Sequence, residues 1–314
     1  MKPEAPLSIQ VVGSINMDLI TKVSRFPREG ETITGLDFLT APGGKGANQA
    51  VAAARLGART AMIGCVGIDR FGKELVASLQ KEKVSMRRIG LIPDAPTGTA
   101  IIIVDERAKN QIIVIPGANY RITEKQLTYA WTTLKIKPQA LLLQLEIPLP
   151  IVIKAAQLAK KDNTLVVLNP APAPTASLPI ELLSHVDFLI PNEHEAKILA
   201  ETDDLELAAG RLRDKGFKVI ITLGNEGALF FDDRPLYIKP FLVMAIDPTA
   251  AGDAFVAAFT LAILEGKPVE EAIRFANAAG ALATTKLGAQ PSLPTRKEVE
   301  RLLAIHHKQP QIAP

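Results

Sequence analysis

The chain has 314 residues, of which 47% are hydrophobic and 22% are charged, and its formal net charge is +3. This length and composition are typical of a globular protein with a substantial core, and the small net charge argues against a nucleic-acid or anionic-membrane partner. No apolar run is long enough to span a bilayer, and the start M-K-P-E-A-P-L-S has no apolar signal core. We therefore predict a cytoplasmic protein.

Short apolar runs alternate with helical segments along most of the chain. The predicted strands are nearly continuous in Leu, Ile and Val, and they cover residues 9–12, 61–63, 140–145, 165–168, 188–190 and 219–222. Segments with helical periodicity lie between them, for example at 49–56, 151–160 and 208–215. Continuous apolar strands are typical of a sheet covered on both faces. The pattern predicts an α/β fold of three layers, with a mostly parallel central sheet between two layers of helices.

Two regions alternate with period two instead. They are residues 19–41 and 97–115, and the second reverses through D-E-R-A-K-N as a β-hairpin does. We predict a small antiparallel sheet built from two separate insertions; the alternative is a set of extra edge strands on the main sheet. The proline-rich stretch 169–179 is interpreted as a stiff surface loop rather than an interdomain linker, because strand and helix alternation resumes directly after it.

Polar residues follow the carboxyl ends of five predicted strands. Glu146, Asn169 and Asn192 each come directly or almost directly after an apolar run, Thr222 ends another, and the first run leads into G-S-I-N-M-D. Ligands of open parallel sheets bind in the crevice beyond the carboxyl ends of the strands. The sequence therefore predicts a site for a polar small molecule at this edge.

The first glycine-rich segment is G-G-K-G-A-N, from Gly43 to Asn48, and an alanine-rich helix follows it. Glycine lets the backbone approach a ligand closely, and a helix start offers free N–H groups. The segment is not a Walker A loop, and no G-x-G-x-x-G follows a strand, so dinucleotide binding loses support. Lys45 taken alone would be interpreted as a surface lysine; its glycine neighbours favour a ligand-binding role.

The second segment is D-P-T-A-A-G-D, from Asp247 to Asp253, at the start of an apolar helix. The A-A-G turn is suited to an anion, because unpaired N–H groups and the helix dipole both favour negative charge there. Asp253 lies in the first helical turn. On its own it would be interpreted as an ordinary capping residue.

Together, the G-G-K-G-A-N-Q-A-V-A-A and D-P-T-A-A-G-D-A-F motifs, about 200 residues apart, resemble the two signatures of the ribokinase (PfkB) family of carbohydrate kinases. The resemblance runs from about residue 9 to residue 298. It implies an ATP-dependent kinase that phosphorylates the primary hydroxyl, O5, of D-ribose, with Mg²⁺ and a monovalent cation such as K⁺. It also implies a main domain of residues 1–18, 42–96 and 117–314 and a β lid of residues 19–41 and 97–116, through which a homodimer forms.

The resemblance assigns roles to particular residues of this chain. Asp253 is implied as the catalytic base, and the amides of Ala250, Ala251 and Gly252 as the anion hole. The implied sugar-binding residues are Asn16, Asp18, Gly44, Lys45, Asn48, Glu146 and Asp253. The implied nucleotide-binding residues are Asn192, Thr222, Gly224, Gly227, Gly252 and Asn277, and Glu195 of the N-x-x-E pattern is implied in ordering Mg²⁺ and the phosphates. The implied monovalent-cation loops contain Asp247, Thr249, Ala283, Lys286, Gly288 and Ser292.

Two positions depart from the family pattern. Glu226 would place a negative charge near a polyphosphate, so we expect its side chain to point to solvent, and Asn277 stands where some relatives carry His. The main alternative substrates are 2-deoxyribose and fructose. A different class of alternative is a non-catalytic sugar-binding regulator, against which the intact Asp253 and A-A-G turn argue. Nucleosides are disfavoured, because the chain has only one Trp and three Tyr to stack on a base.

Overall fold

The computed structural model describes residues 7–107, 109–174 and 177–307. Residues 1–6 lie outside the described residues, and they make up most of the N-terminal stretch on which the cytoplasmic prediction rests. Two residues of the proline-rich segment 169–179 also lie outside them. Along the described chain, no helix has the length and apolar character needed to cross a membrane.

Thirteen strands occur in the described residues. They are β1 (Ser8–Val12), β2 (Asn16–Lys22), β3 (Asp37–Gly43), β4 (Arg59–Gly67), β5 (Ser85–Ile92), β6 (Gly98–Val104), β7 (Asn110–Ile115), β8 (Ala140–Leu143), β9 (Leu165–Leu168), β10 (Phe188–Leu189), β11 (Lys218–Thr222), β12 (Ala228–Phe231) and β13 (Pro235–Ile238).

Eleven α-helices accompany them within the same residues. They are α1 (Lys45–Arg55), α2 (Arg70–Lys81), α3 (Glu124–Thr132), α4 (Leu149–Lys161), α5 (Ile180–Leu183), α6 (Glu193–Ala200), α7 (Leu205–Arg213), α8 (Ala251–Leu264), α9 (Val269–Ala283), α10 (Ala289–Ser292) and α11 (Arg296–His307).

Nine strands form the central sheet in the order β13-β12-β11-β10-β9-β8-β1-β4-β5. The β11–β12 and β12–β13 pairs are antiparallel, and all other neighbouring strands pair parallel. The predicted mostly parallel sheet is confirmed, and its six predicted strands are all present. Because β11, β10, β9, β8 and β1 are adjacent and parallel, their carboxyl ends meet at one edge, as the polar residues there predicted.

Alternate residues of each central strand pack into two separate cores. Val11 of β1, Leu142 of β8 and Val167 of β9 belong to one core, which α1, α2, α8, α9 and α11 cover. Their chain neighbours, such as Val12 and Leu143, belong to the other core, under α3 to α7. Both faces of the sheet are therefore buried, which confirms the three-layer arrangement and explains why these strands are continuously apolar.

The remaining four strands form a second sheet in the order β3-β2-β6-β7. The predicted hairpin is confirmed as β6 and β7, and the sheet is separate from the central one, so the alternative of extra edge strands is wrong. The outer pairs are antiparallel, while the central pair, β2 with β6, is parallel because the two strands come from separate insertions. Strand β2 starts at Asn16, before the predicted insertion, since its first residues already pair with Gly43 and Gly98.

Candidate active site

The G-G-K-G segment joins the second sheet to helix α1 by close backbone contacts. Gly44 has φ of 86°, and a Cβ there would lie 2.7 Å from the backbone N of Asn16. A Cβ on Gly46 would lie 2.6 Å from the backbone N of Ser14. Only glycine allows such close approach. The start of α1 is therefore fixed against the turn after β1, so that Lys45 and Asn48 lie at the carboxyl edge of the sheet.

Asp253 lies at the start of α8 and is buried. Ala250, the residue that precedes the helix, is left-handed with φ of 63°, and this turns the chain into the helix. Two amides from α1 donate to the Asp253 carboxylate: Asn48 Nδ2 to Oδ2 at 3.0 Å and Gln49 Nε2 to Oδ1 at 3.1 Å. The two predicted signatures therefore meet directly, although about 200 residues separate them in sequence.

Four carboxyl groups, those of Asp18, Glu146, Glu195 and Asp253, lie close enough to Lys45 to act on its charge. Burial raises the pKa of Asp253, while Lys45 and the amides of Asn48 and Gln49 lower it in part. Burial, with the neighbouring Glu146 and Asp253, raises the pKa of Asp18 to about 7. For Lys45, burial lowers the pKa, but the negative charges of these groups and of Glu195 outweigh it and leave the pKa raised. The site thus keeps a cation beside the proposed base.

The predicted sugar-side residues are brought together at one place. Glu146 Oε2 accepts hydrogen bonds from Ser14 Oγ and from the backbone N of Lys45, the latter at 3.0 Å. The Asp18 carboxylate lies directly over Gly43, where a Cβ would come within 2.2 Å of it. Asn16 Oδ1 accepts from Asn119 Nδ2 at 2.7 Å. Asn16 and Asp18 are buried, Glu146 is half-buried, and Glu146 and Lys45 are close enough to Asp18 to shift its pKa.

One of the three amides predicted to form the anion hole is already hydrogen-bonded within the chain. Ala251 N donates to Pro248 O at 3.2 Å, because residues 248–251 form a turn that leads into α8. Among the hydrogen bonds of the described residues, none uses the backbone N–H of Ala250 or Gly252. A Cβ on Gly252 would meet no atom within 4 Å. Two of the three predicted amides therefore remain free, beside open space.

A cavity of about 340 Å³ lies at the start of α8, where Ala251 and Gly252 line it. Five of the six predicted nucleotide-binding residues line it: Thr222, Gly224, Gly227, Gly252 and Asn277. Asn192 lies at the same sheet edge, where it pairs with Thr222, but it is not part of the lining. Asn277 uses Nδ2 to hold the carbonyls of Ile238 and Lys239 at 3.2 and 3.1 Å. Glu226 is exposed, as expected.

Asn192 and Glu195 form a capping box at the start of α6. Asn192 Oδ1 accepts from Glu195 N at 2.8 Å, and Glu195 Oε2 accepts from Asn192 N at 2.9 Å. Burial raises the pKa of Glu195, while the hydrogen bond from Asn192 and the charge of Lys45 lower it in part. Its carboxylate is therefore held by the helix and faces the same charged cluster.

Asp247 joins the two predicted cation loops. Its Oδ1 accepts from Thr249 N at 2.9 Å and from Thr249 Oγ1 at 2.6 Å, and its Oδ2 accepts from Gly288 N at 2.8 Å. Ser292 Oγ donates to Ala289 O at 2.8 Å. Within residues 7–107, 109–174 and 177–307, no group of three or more His, Cys, Asp or Glu is arranged to hold a metal ion.

The comparisons with known proteins agree with this geometry. A sequence profile described as pfkB family carbohydrate kinase matches residues 7–296. The chain belongs to this family. It is 44% identical to a ribokinase of Haemophilus influenzae, over 94% of this chain and 98% of that protein. It is 36% identical to a deoxyribokinase of Salmonella typhi, over 96% of this chain and all of that protein. A structure of Arabidopsis thaliana ribokinase complexed with ribose and ATP matches with a TM-score of 0.84 and 35% identity, over 96% of this chain and 99% of that one.

Sequence reasoning missed several residues that this pfkB kinase uses to build its site. Gln49 and Gln144 are fully buried and linked to Asp253, and Asn119 is buried between the two sheets and holds Ile15 and Asn16. Gln49 and Gln144 had a detectable signal, since each is a polar residue within a predicted apolar element, the helical segment 49–56 and the strand 140–145. Asn119 follows the hairpin in a stretch without periodicity, and only its tertiary contacts reveal it.

Proposed function

We propose that this chain is a ribose kinase that transfers the γ-phosphoryl group of ATP to O5 of D-ribose and yields ribose 5-phosphate. One observation carries the proposal. The buried Asp253 carboxylate contacts Asn48 of the sugar-side cluster, and Gly252, the residue before it, lines the cavity. The proposed base therefore directly follows a proposed anion-binding residue in the chain. This neighbourhood suits transfer between two bound substrates, which depends on the positioning of the reacting groups.

The residues of this site support a simple sequence of events. Asp253 accepts the proton of the sugar hydroxyl, and the hydroxyl oxygen attacks the γ-phosphorus of ATP as the bond to ADP breaks. The N–H groups of Ala250 and Gly252, with the dipole of α8, stabilise the negative charge on the transferring group. Phosphoryl transfer needs mainly positioning and charge stabilisation from a protein, which this arrangement offers.

The acidic groups near the cavity fit a Mg²⁺ ion bound together with phosphates. Mg²⁺ is typically held by one or two carboxylates, waters and substrate phosphates rather than by a complete protein cage. Glu195 matches this role, since its carboxylate is fixed by Asn192. The bound ion would neutralise phosphate charge during transfer.

The loops joined by Asp247 fit a monovalent cation held mainly by carbonyl groups. All the hydrogen bonds of the Asp247 side chain brace Thr249 and Gly288, so the side chain shapes the loops. The carbonyls of Thr249, Ala283, Lys286 and Gly288 and the side chain of Ser292 are the proposed ligands. If the proposal is right, K⁺ raises activity and a large organic cation in its place does not; equal activity in both contradicts it.

The choice between ribose and 2-deoxyribose depends on buried groups that bind hydroxyls. Asp18 and Asn16 are buried polar residues of β2, and a site built to bond a hydroxyl rejects an analogue that lacks it. We measure kcat/KM for ribose, 2-deoxyribose and fructose with ATP, Mg²⁺ and K⁺. Ribose should give the highest value. A higher value for 2-deoxyribose would change the proposed substrate, and no turnover of any sugar would refute the kinase proposal.

The Asp253→Asn variant distinguishes the hypothesis of an enzyme from that of a non-catalytic sugar-binding regulator. Asparagine keeps the shape of the side chain but cannot take the proton, so kcat should fall by about 10²–10⁴-fold. Sugar affinity, measured by calorimetry, should stay within a few-fold of the wild type. A variant that keeps wild-type kcat would refute the assignment of the base.

The second sheet supports a homodimer. Every residue of its edge strand β7 is exposed, including Ile112, Ile113, Val114 and Ile115. An exposed apolar edge strand is an association site unless something covers it, and a second copy of the chain would do so. Light scattering should give a dimer that Ile113→Asp weakens; a monomeric wild type refutes this part. The lid boundaries and the cytoplasmic location also stay proposals.

A further inference from the structure

The Asp253 carboxylate is held by a chain of buried glutamine amides to which the family resemblance assigns no role. Gln49 Nε2 donates to Asp253 Oδ1 at 3.1 Å and to Asn169 Oδ1 at 3.3 Å. Gln49 Oε1 accepts from Gln144 Nε2. Gln49 and Gln144 have no exposed surface. Both the nitrogen and the oxygen of the Gln49 amide are therefore hydrogen-bonded, and all three partners lie at the candidate site.

The chemistry of these groups fixes the direction of the chain. An ionised carboxylate accepts hydrogen bonds only, so the atom of Gln49 that faces Asp253 must be the NH₂ group. The Gln49 oxygen then faces Gln144, whose NH₂ group must point toward it. Asn169 is fixed in the same way, because its Nδ2 donates to Ile190 O at 2.9 Å and leaves Oδ1 for Gln49. The series Gln144 to Gln49 to Asp253 thus has one consistent orientation.

The position of Gln144 is unfavourable for a polar side chain. Its Oε1 is buried and has no donor among the described residues. It lies against Gly13, where a Cβ would come within 2.1 Å of this oxygen. A buried acceptor without a partner destabilises a fold. An apolar side chain of similar length would avoid that penalty, so packing does not account for glutamine at this position.

We propose that Gln49 is a positioning residue that orients the Asp253 carboxylate and favours its ionised form, and that Gln144 fixes the amide of Gln49 in the donating orientation. The inference rests on the proposed role of Asp253 as the base. Hydrogen bonds to the charged form of a carboxyl group lower its pKa, in opposition to burial. Without the Gln49 donor, Asp253 would hold its proton to higher pH and would lose one of its two orienting contacts.

Other charged groups also face Asp253, and the test must leave them in place. They are Lys45 from α1, Glu146 after β8, Glu195 from α6 and Asp18 from β2. Gln49→Met keeps all four and removes only the amide. Gln144→Met keeps Gln49 itself but removes the contact that orients it.

The experiment compares the pH dependence of the single-turnover rate of phosphoryl transfer, with saturating ribose and ATP, in four proteins. The third variant is Gln10→Met, a matched control. Gln10 is also a buried glutamine, and its Nε2 donates to the carbonyls of Val11 and Ala61, both at 3.0 Å, away from Asp253. It reports the effect of removing a buried amide from this core.

Below the pKa of Asp253 the base is protonated and the rate falls. In Gln49→Met this acidic fall should move to higher pH by about one unit, the size expected for one hydrogen bond to a charged group. In Gln144→Met it should move the same way by less, and Gln10→Met should follow the wild type even if its melting temperature falls. Wild-type profiles in both Gln49→Met and Gln144→Met would overturn the proposal. If Gln49→Met does not fold, Gln144→Met alone decides.

Asp253→Asn distinguishes the failure of this inference from the failure of the proposed function. If Asp253→Asn is inactive and the profiles of the two glutamine variants do not move, only the role of Gln49 and Gln144 is wrong. If Asp253→Asn keeps its activity, the base is another group and both proposals are wrong.

Discussion

Asp18 should make the unliganded protein less stable as pH rises through neutrality. It is a buried residue of β2 in the second sheet, and its pKa is raised to about 7 by burial and by the charges of Glu146 and Asp253. In the unfolded chain this carboxyl group has its ordinary pKa, near 3.8. Between these two values the folded protein holds a proton that the unfolded chain has released. The free energy of unfolding of the wild type therefore falls as pH rises through this window.

Asp18→Asn removes that dependence, because asparagine resembles the protonated acid at every pH. One pKa unit corresponds to about 1.4 kcal/mol, so the interval from about pH 4.5 to about pH 7 corresponds to about 3 kcal/mol. The free energy of unfolding of the variant minus that of the wild type should therefore be about 3 kcal/mol larger at pH 8 than at pH 4.5. Sugar affinity should fall, since the carboxylate is a proposed hydroxyl acceptor.

Urea denaturation of both proteins at pH 4.5 and pH 8, without sugar or nucleotide, measures the difference. Asp94→Asn is the matched control, because Asp94 is exposed and forms no side-chain hydrogen bond or salt bridge in the part of the chain that the structure describes. It reports the effect of losing one negative charge. An Asp18→Asn stability gain that is equal at both pH values, or larger at pH 4.5, would refute the reasoning about Asp18.

Two further predictions concern the same cluster. Gly44→Ala should destabilise the protein and weaken sugar binding, because a Cβ would lie 2.7 Å from a backbone N; Gly57→Ala, also at positive φ but with no atom within 4 Å, should cost only the backbone strain of about 1–3 kcal/mol. Equal melting temperatures of the two variants would contradict the role of close approach. Lys45→Met should move the acidic fall of kcat to higher pH, because Lys45 lowers the pKa of Asp253. A pH profile of kcat that matches the wild type would show that Lys45 does not act on Asp253.

The sequence predicted the central sheet well because its signal is local. Runs such as Leu165–Leu168 are apolar on both faces, and only a strand between two layers of helices requires that. Strand β5 was not predicted, since S-M-R-R-I-G-L-I at the sheet edge carries two arginines and mostly incomplete burial. Strands β12 and β13 were also missed, because they form an antiparallel pair at the end of the sheet, outside the alternation of strand and helix that marked the other strands.

The site could be predicted only where a motif marked it. Asp253, Lys45 and Asn48 belong to two recognisable motifs, and the structure brings all three to one place. Gln49 is adjacent to Asn48, but periodicity assigns it to a helix and gives no sign that its amide meets Asp253. Such contacts arise between residues about 200 positions apart, so no local pattern contains them.

The arrangement of helices is consistent with the proposal that one carboxylate, Asp253, acts between two substrates. Helix α1 starts at the sugar-side cluster, and its residues Asn48 and Gln49 hold Asp253 from that side. Helix α8 starts at the cavity, with the free N–H of Gly252 one residue before Asp253. The proposed base is therefore held by side chains of α1, and the proposed anion-binding amide of Gly252 belongs to α8. Because α1 and α8 pack against each other in the same core, a substitution that shifts either helix changes the distance between proton acceptor and phosphoryl site, and the rate should fall before either substrate loses affinity.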